Sequence, residues 1–89
     1  MTEQEWMEKL KQEGYKDLIV FRWEPGWVAG EHTHYHHTVH VVLSGELSIT
    51  DKSGSQTYSP GERVEFPKGT VHVAKGGNTA GSMIVGKKT

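Results

Sequence analysis

Residues 26–45, GWVAGEHTHYHHTVHVVLSG, and residues 61–72, GERVEFPKGTVH, are the two most informative stretches of this chain. Each begins with a glycine and carries histidine at a defined distance from it: His32 and His34 in the first stretch, and His72 in the second. Five of the six histidines of the 89-residue chain lie in the first stretch. Imidazole is the commonest metal ligand in proteins and titrates close to neutral pH. The two stretches are therefore the candidate functional region.

The sequence around these stretches predicts short β-strands separated by tight turns. Residues 17–23 and 39–43 are rich in β-branched and aromatic side chains, and residues 46–50 alternate between polar and apolar side chains. Further short strands are predicted at residues 55–59, 63–66, 71–74 and 82–85. Many short strands with Gly and Pro in the turns are typical of an all-β sandwich or barrel.

The N-terminal segment differs from the rest and predicts a short helix. Thr2 can act as the N-cap, and Glu5, three residues later, completes a capping box. Trp6 and Leu10 share one helical face, and Gly14 suits the position just after the helix end. We expect the apolar face to pack either on the barrel or on a partner subunit.

The spacing of the two stretches resembles the cupin family, in which the motifs are G-x5-H-x-H with a closing glycine and G-x5-P-x-G-x2-H. The resemblance implies an all-β fold, a single jelly-roll barrel over residues 15–89, preceded by a short helix within residues 1–14. The matching positions are Gly26, His32, His34, Gly45, Gly61, Pro67, Gly69 and His72. At Gly45, Gly61 and Gly69 we expect tight turns with positive φ or a close backbone approach.

The resemblance implies that His32, His34 and His72 hold one divalent transition metal per chain: Fe, Mn, Ni, Cu or Zn. Residues i and i+2 of an extended strand point to the same face, so His32 and His34 can converge on one ion. We expect His72, from a distant strand, to close the site from the facing sheet. The chain has no cysteine, so no thiolate competes as a ligand. Three imidazoles with open positions for water or substrate are typical of catalytic metal sites.

The chain departs from the family pattern at Thr38, where most metal cupins carry a glutamate ligand. Either the site has three histidines and more open positions, as in cupins that act as thiol or diketone dioxygenases, or a neighbouring histidine replaces the glutamate. Strand alternation would place His36, Thr38 and His40 on the face of the first two histidines, with His37 opposite. His40, then His36, is the candidate fourth ligand or pocket acid/base, and Thr38 is a candidate substrate contact. A three-histidine site would favour an anionic co-ligand.

Composition limits the classes of partner. The formal net charge is −1, with 10 Lys and Arg against 11 Asp and Glu, so no basic surplus predicts binding to nucleic acid or to an anionic membrane. No apolar run is long enough for a membrane span or a signal peptide, and we expect a cytoplasmic protein. Only 34% of the residues are hydrophobic, so the small core favours a homodimer.

Two functions from different classes are consistent with these features. The first is a metal-dependent, dioxygenase-like oxidoreductase acting on a small oxygen-bearing molecule; with zinc, the reaction would instead be a Lewis-acid isomerisation, enolisation or hydrolysis. The second is a non-catalytic module that binds or senses a small ligand or a metal. A structural role, in which the metal stabilises a dimer, is a third hypothesis. A fold of this kind hosts many reactions, so the resemblance does not choose among these hypotheses.

Overall fold

The computed structural model describes residues 1–88; Thr89, the last residue of the predicted barrel segment, lies outside the described residues. One helix is followed by eight strands, which confirms the predicted mostly-β class with a short N-terminal helix. Within residues 1–88, no helix has the length and apolar character that a bilayer span needs. The elements are α1 (Glu3–Gln12), β1 (Lys16–Trp23), β2 (Val28–His32), β3 (His37–Ser44), β4 (Leu47–Asp51), β5 (Gly54–Tyr58), β6 (Arg63–Phe66), β7 (His72–Gly76) and β8 (Gly81–Lys88).

The strands form two four-stranded antiparallel sheets. Sheet I has the order β1-β8-β3-β6, and sheet II has the order β2-β7-β4-β5. Strands that are neighbours in space are mostly distant in sequence, which is the connectivity of a jelly roll. The predicted jelly-roll architecture is confirmed. This pairing brings the two histidine-bearing stretches together, because β3 pairs with β6 and β2 pairs with β7.

The histidine-rich stretch is not one continuous strand, although His40 lines the inner cavity and His37 contacts Glu65 on the other face of β3, as alternation predicted. Strand β2 ends at His32, a bend occupies Tyr35 and His36, and β3 begins at His37. The bend exists because β2 belongs to sheet II and β3 to sheet I, so the chain crosses between the sheets here. Side-chain alternation therefore restarts at β3, and the alternation argument does not extend to His36, which precedes that strand.

The helix packs on the barrel rather than standing free for a partner. Its capping box is formed: Thr2 accepts from the Glu5 amide, and the Glu5 carboxylate accepts from the Thr2 amide. Trp6 and Leu10 are buried against the outer face of sheet I. Trp6 is therefore buried within the single chain and gives no support to a dimer interface. The outer cluster of buried residues comprises Trp6, Leu10, Tyr15, Val39, Val41 and Ile84.

A second cluster fills the space between the two sheets. It comprises Trp23, Val42, Leu47, Ile49, Phe66, Ala74 and Met83. Strand β3 contributes to both clusters, since Val39 and Val41 face the helix while His40 and Val42 face the barrel interior. Alternation along a strand places consecutive residues on opposite faces, so β3 is buried on both sides.

Glycines adopt the special conformations that the motif predicted. Gly45, Gly61 and Gly69 have φ values of 73°, 89° and 82°. Gly76 matters for a different reason, since a β-carbon there would lie 2.4 Å from Cδ1 of Trp23. Only glycine lets the indole of Trp23 lie against this strand.

Candidate metal centre

His32, His34 and His72 form a compact group. One ligand atom from each lies within 4.8 Å of those of the other two. The ring centroids are 4.3 Å apart for His32 and His72, 5.0 Å for His32 and His34, and 5.5 Å for His34 and His72. An ion with bonds of about 2.1 Å keeps its nitrogens within about 4.2 Å of one another. The spacing of the three ligand atoms is therefore close to the spacing that one ion requires.

Two of these histidines are direct partners in one sheet. His32, at the end of β2, lies opposite His72, at the start of β7. The expectation that His72 would approach from the facing sheet is wrong, because β2 and β7 are adjacent in sheet II. Directly opposed residues of an antiparallel pair have β-carbons about 4.5–5.5 Å apart. Strand pairing alone therefore brings these two imidazoles together.

His34 reaches the group from the segment that follows β2. Its backbone carbonyl accepts a hydrogen bond from the Gly69 amide at 3.0 Å. The positive φ of Gly69, 82°, is a conformation that residues with a side chain rarely adopt. The second stretch therefore has two roles: it supplies His72, and the turn just before that histidine holds the segment that carries His34.

Hydrogen bonds leave lone pairs free on the group. Nδ1 of His32 lies 2.7 Å from the Gly30 carbonyl oxygen, so Nδ1–H donates to it and Nε2 keeps its lone pair. Nε2 of His34 and Nδ1 of His72 are buried without a partner; the Thr70 backbone lies near His72, short of hydrogen-bond geometry. The ring of Phe66 stacks on His72 at 4.0 Å and 7°, which fixes the plane of that imidazole.

The surroundings favour the neutral form of these histidines. Burial lowers the pKa of His34, and a charge on His32 lowers it further. Burial also lowers the pKa of His72, with additional contributions from His32 and His34. A metal binds the neutral imidazole, so a lowered pKa reduces competition from protons. The donor set, three imidazoles without a thiolate or a carboxylate, fits a divalent transition ion.

His40 faces the same space from sheet I. Its ring centroid lies 6.2 Å from that of His34 and 6.3 Å from that of His72, so it is set back from the group of three. The side chain is only 6% exposed, and neither ring nitrogen has a hydrogen-bond partner. Burial, followed by charges on His34 and His72, lowers the pKa of His40 to about 3. His40 is therefore a neutral imidazole with unused hydrogen-bonding capacity.

The other two predicted site residues lie differently. Thr38 is buried on β3 with its hydroxyl oxygen unpartnered, but it is not among the residues that line the cavity beside the histidines. His36 is partly exposed in the bend, and within residues 1–88 it belongs neither to the three-histidine group nor to the cavity wall.

A cavity of about 200 Å³ opens beside the group, between the two sheets. Apart from four histidines its walls are apolar, and no Asp, Glu, Lys or Arg of residues 1–88 lines it. Sequence analysis did not identify this wall, although the inward positions of alternating strands were a signal for part of it. The lining residues are Ile19, Phe21, Trp27, Ala29, His32, His34, His40, Leu47, Ile49, His72, Ala74, Met83 and Val85.

Comparisons with known proteins agree with this architecture. The family model described as "Cupin domain" matches residues 19–84. A cupin superfamily protein from Desulfitobacterium hafniense is 19% identical, with a TM-score of 0.73 over 81% of this chain and 66% of that chain. A protein of unknown function from Rhizobium leguminosarum is 25% identical, with a TM-score of 0.74 over 80% of this chain and 67% of the other.

A cupin domain from Bordetella pertussis is 24% identical, with a TM-score of 0.65 over 81% of this chain and 79% of that one. No match to the chain is found among curated proteins. The chain thus spans just under two thirds of the Desulfitobacterium protein and somewhat more of the other two.

Proposed function

The chain belongs to the cupin family, and we propose that it binds one divalent transition metal through His32, His34 and His72. We propose further that this metal makes the protein a dioxygenase-like enzyme acting on a small oxygen-bearing molecule. The observation that carries the proposal is the convergence of three imidazoles within 4.8 Å beside a cavity. Three protein ligands leave coordination positions open for a substrate.

The cavity favours chemistry performed at the metal over proton transfer by side chains. When bound, the ion would supply Lewis acidity and, if redox-active, activation of O₂. A dioxygenase inserts both oxygen atoms of O₂ into its substrate, so the reaction needs no external reductant. Among residues 1–88, the cavity wall offers no carboxylate or lysine as a general base, and its titratable group other than the three proposed ligands is the neutral His40. The residues of the chain would hold and orient the substrate in an apolar setting.

A second candidate function is a binding module without turnover. Ile19, in the cavity wall, is 55% exposed, so the cavity remains open to solvent. Oxygen chemistry benefits from the exclusion of water, which an open cavity provides poorly. In this alternative the same three histidines hold a metal and a small ligand. The protein then acts by binding that ligand, without converting it to a product.

Metal content distinguishes a true site from adventitious binding by a histidine-rich segment. We would measure it by mass spectrometry in untagged protein, comparing the wild type with His34→Ala and His72→Ala. We expect about one ion per chain in the wild type and its loss in both variants. His37→Ala is the matched control, because His37 lies on the opposite face of β3. Equal loss in the control would contradict the assigned ligand set.

Turnover separates the two candidate functions once the metal is known. O₂ uptake with small substrates tests the enzyme if the ion is Fe, Mn, Ni or Cu, and Lewis-acid assays test it if the ion is Zn. The enzyme should lose turnover in His72→Ala while keeping its circular dichroism spectrum. Metal binding without any turnover would favour the binding module.

A homodimer is also part of the proposal. Ile19, Val28 and Val71 are large apolar residues that remain about half exposed in the single chain, and burial of some of them would stabilise a dimer. Sedimentation equilibrium with and without chelator tests this, and dissociation on chelation would favour the structural role of the metal. The expectations of a cytoplasmic location and of no nucleic-acid partner stay predictions.

A further inference from the structure

We infer that β5 (Gly54–Tyr58) is an interaction surface for a second copy of this chain, and that the two β5 strands pair antiparallel about a two-fold axis at Gln56. Sheet II of one copy then continues into sheet II of the other. The inference rests on the homodimer part of the proposed function and gives it a definite contact, but it does not depend on the metal. Three features of β5 carry it: an unprotected edge, unpaired backbone groups and a self-matching register.

Among the four edge strands of residues 1–88, which are β1, β2, β5 and β6, only β5 lacks features that block pairing. Natural edge strands avoid pairing through irregular register, charges, proline and short length. β1 and β2 have register shifts, and in β1 the shift includes Asp17, whose φ is 53°. β6 has four residues, carries Arg63 and Glu65, and is followed by Pro67. β5 pairs regularly with β4 along its whole length and contains no charged residue and no proline.

The backbone of β5 has unpaired groups at this edge. A two-residue turn joins β4 to β5, so the closing pair, Asp51 and Gly54, is hydrogen-bonded. Hydrogen-bonded and non-hydrogen-bonded pairs alternate along an antiparallel pairing, so Ser55 and Thr57 direct their backbone N–H and C=O groups away from β4. Both residues are exposed, and their hydroxyls already bond to hydroxyls of β4 at 2.7 and 3.0 Å. The backbone groups are therefore what the edge offers to a further strand.

A two-fold axis at Gln56 gives these groups a matched register. Ser55 then lies opposite Thr57 of the partner subunit, and each such pair exchanges both of its backbone hydrogen bonds. Tyr58 lies opposite Gly54 of the partner subunit, where an aromatic ring can cover the glycine backbone. The Tyr58 hydroxyl donates to Oε1 of Gln56 at 3.0 Å, so Gln56 keeps its amide N–H groups for a contact across the axis. Because β5 is uncharged, no like charges oppose each other.

The size of the contact sets its expected strength. One pair of short strands buries less than the ~800 Å² per partner of a standard stable interface. We therefore expect a reversible dimer whose dissociation constant is on the order of 100 µM, as for a weak, transient contact. Sedimentation equilibrium of the untagged protein at several concentrations measures it.

Charges placed at the axis test the register. Gln56→Lys and Gln56→Glu each put two like charges opposite one another, so each variant alone should dimerise about tenfold more weakly than the wild type. Mixed in equal amounts, the two variants should form a heterodimer at least as tightly as the wild type dimerises. Gln4→Lys and Gln4→Glu, at an exposed position of the helix, are the matched controls and should dimerise like the wild type.

A disulfide tests the same contact by its geometry. The chain has no cysteine, so a single introduced thiol can cross-link only two copies. Directly opposed residues of a non-hydrogen-bonded pair have α-carbons about 4.5 Å apart, within the ~4.4–6.8 Å that a disulfide spans. At equal concentrations of protein and diamide, Gln56→Cys should therefore cross-link about tenfold faster than Gln4→Cys.

The outcomes separate this contact from other dimer surfaces. If the wild type dimerises and the Gln56 charge variants dimerise equally well, the contact lies elsewhere, as at the exposed Val28 or Val71, and the inference is overturned. It is also overturned if the mixture does not recover, or if Gln56→Cys cross-links no faster than Gln4→Cys. A wild type that stays monomeric up to about 1 mM overturns both the inference and the homodimer.

Metal analysis keeps the inference distinct from the proposed metal site. Metal content per folded chain should be the same in all these variants, because β5 contributes no residue to the three-histidine group. A wild type that dimerises through β5 but takes up no divalent transition metal would contradict the metal site and support the β5 contact.

Discussion

His37 and His40 lie three residues apart on one strand and have opposite surroundings. On the outer face of sheet I, Nε2 of His37 donates to Oε1 of Glu65 at 2.9 Å, and the Tyr15 hydroxyl donates to the same oxygen. On the inner face, His40 has no partner for either nitrogen. On the outer face His37, Tyr15 and Glu65 are hydrogen-bonded to one another, whereas on the inner face His40 has no such partner among residues 1–88. Strand alternation thus separates a stabilising face from a binding face.

The outer network extends well beyond His37. The guanidinium of Arg63 donates to both carboxylate oxygens of Glu13, at 2.8 and 3.1 Å, and to Glu65 at 3.1 Å. The hydrogen bonds from Arg63 lower the pKa of Glu13 to about 2. Burial and the hydrogen bond to Glu65 raise the pKa of Tyr15 to about 12. These contacts connect the end of the helix to β6 without involving the cavity.

The largest effect should come from the apolar part of the outer face. Leu10, in the helix, is fully buried against sheet I, so Leu10→Ala should lower the free energy of unfolding by about 3 kcal/mol. Because Leu10 lies far from the histidine group in the fold, metal content per folded chain should stay at the wild-type value. Urea denaturation and metal analysis measure both quantities, with the exposed Lys11→Ala as control. Loss of metal in correctly folded Leu10→Ala would contradict the conclusion that the two faces act independently.

An intermediate effect should come from the unpartnered histidine of the inner face. The pKa of His40 in the folded protein, about 3, is below its ordinary value of 6.5. Between these two pH values the unfolded chain is protonated at His40, whereas the folded chain is not. Stability from this group is therefore complete above pH 6.5 and is lost as the pH falls toward 3. Each pH unit in this range changes the free energy of unfolding by about 1.4 kcal/mol for one such group. Acidification of the metal-free proteins from pH 7 to 4.5 should therefore lower the free energy of unfolding by about 2 kcal/mol more in the wild type than in His40→Leu.

Urea denaturation of the metal-free proteins at the two pH values, followed by tryptophan fluorescence, measures this difference. His40→Leu removes this ring and leaves the other five histidines in place, so the difference between the two proteins reports on His40. Equal losses in the wild type and His40→Leu would mean that water or a neighbouring group already satisfies the buried ring.

The smallest effect should come from the polar part of the outer face. Glu65→Gln removes the charge that Tyr15, His37 and Arg63 share, at a site that is partly exposed. We expect a loss of about 1 kcal/mol in the free energy of unfolding, since hydrogen bonds to a charged group at a hydrated surface contribute modestly.

The same substitution should lower the pKa of Tyr15 from about 12 toward its ordinary value of 10, because the hydrogen bond to the carboxylate helps to raise it. Carbon-13 NMR of labelled tyrosine follows that titration, and Tyr58 in the same spectra is an internal control. Metal content per folded chain should not change in Glu65→Gln; a change would show that the two faces are coupled.

Much of this organisation could be predicted from local sequence. The capping box of the helix, the positive-φ glycines and most of the strands follow from short-range rules of side-chain chemistry. The motif spacing also named the three histidines that lie together in the structure. The cavity wall was not predicted, because its members come from strands distant in sequence, and their convergence depends on how the sheets pair.

The sequence by itself determined the fold class, the family and the candidate ligand set. Turn residues, side-chain alternation and motif spacing are local properties, and they can be recognised without knowing which strands pair. Only the tertiary structure decided which strand supplies which ligand. It placed His32 and His72 opposite each other in one sheet and His40 on the facing sheet. The physical reason is that pairing joins strands distant in sequence, and it depends on where the chain changes sheets, as it does at the bend between β2 and β3.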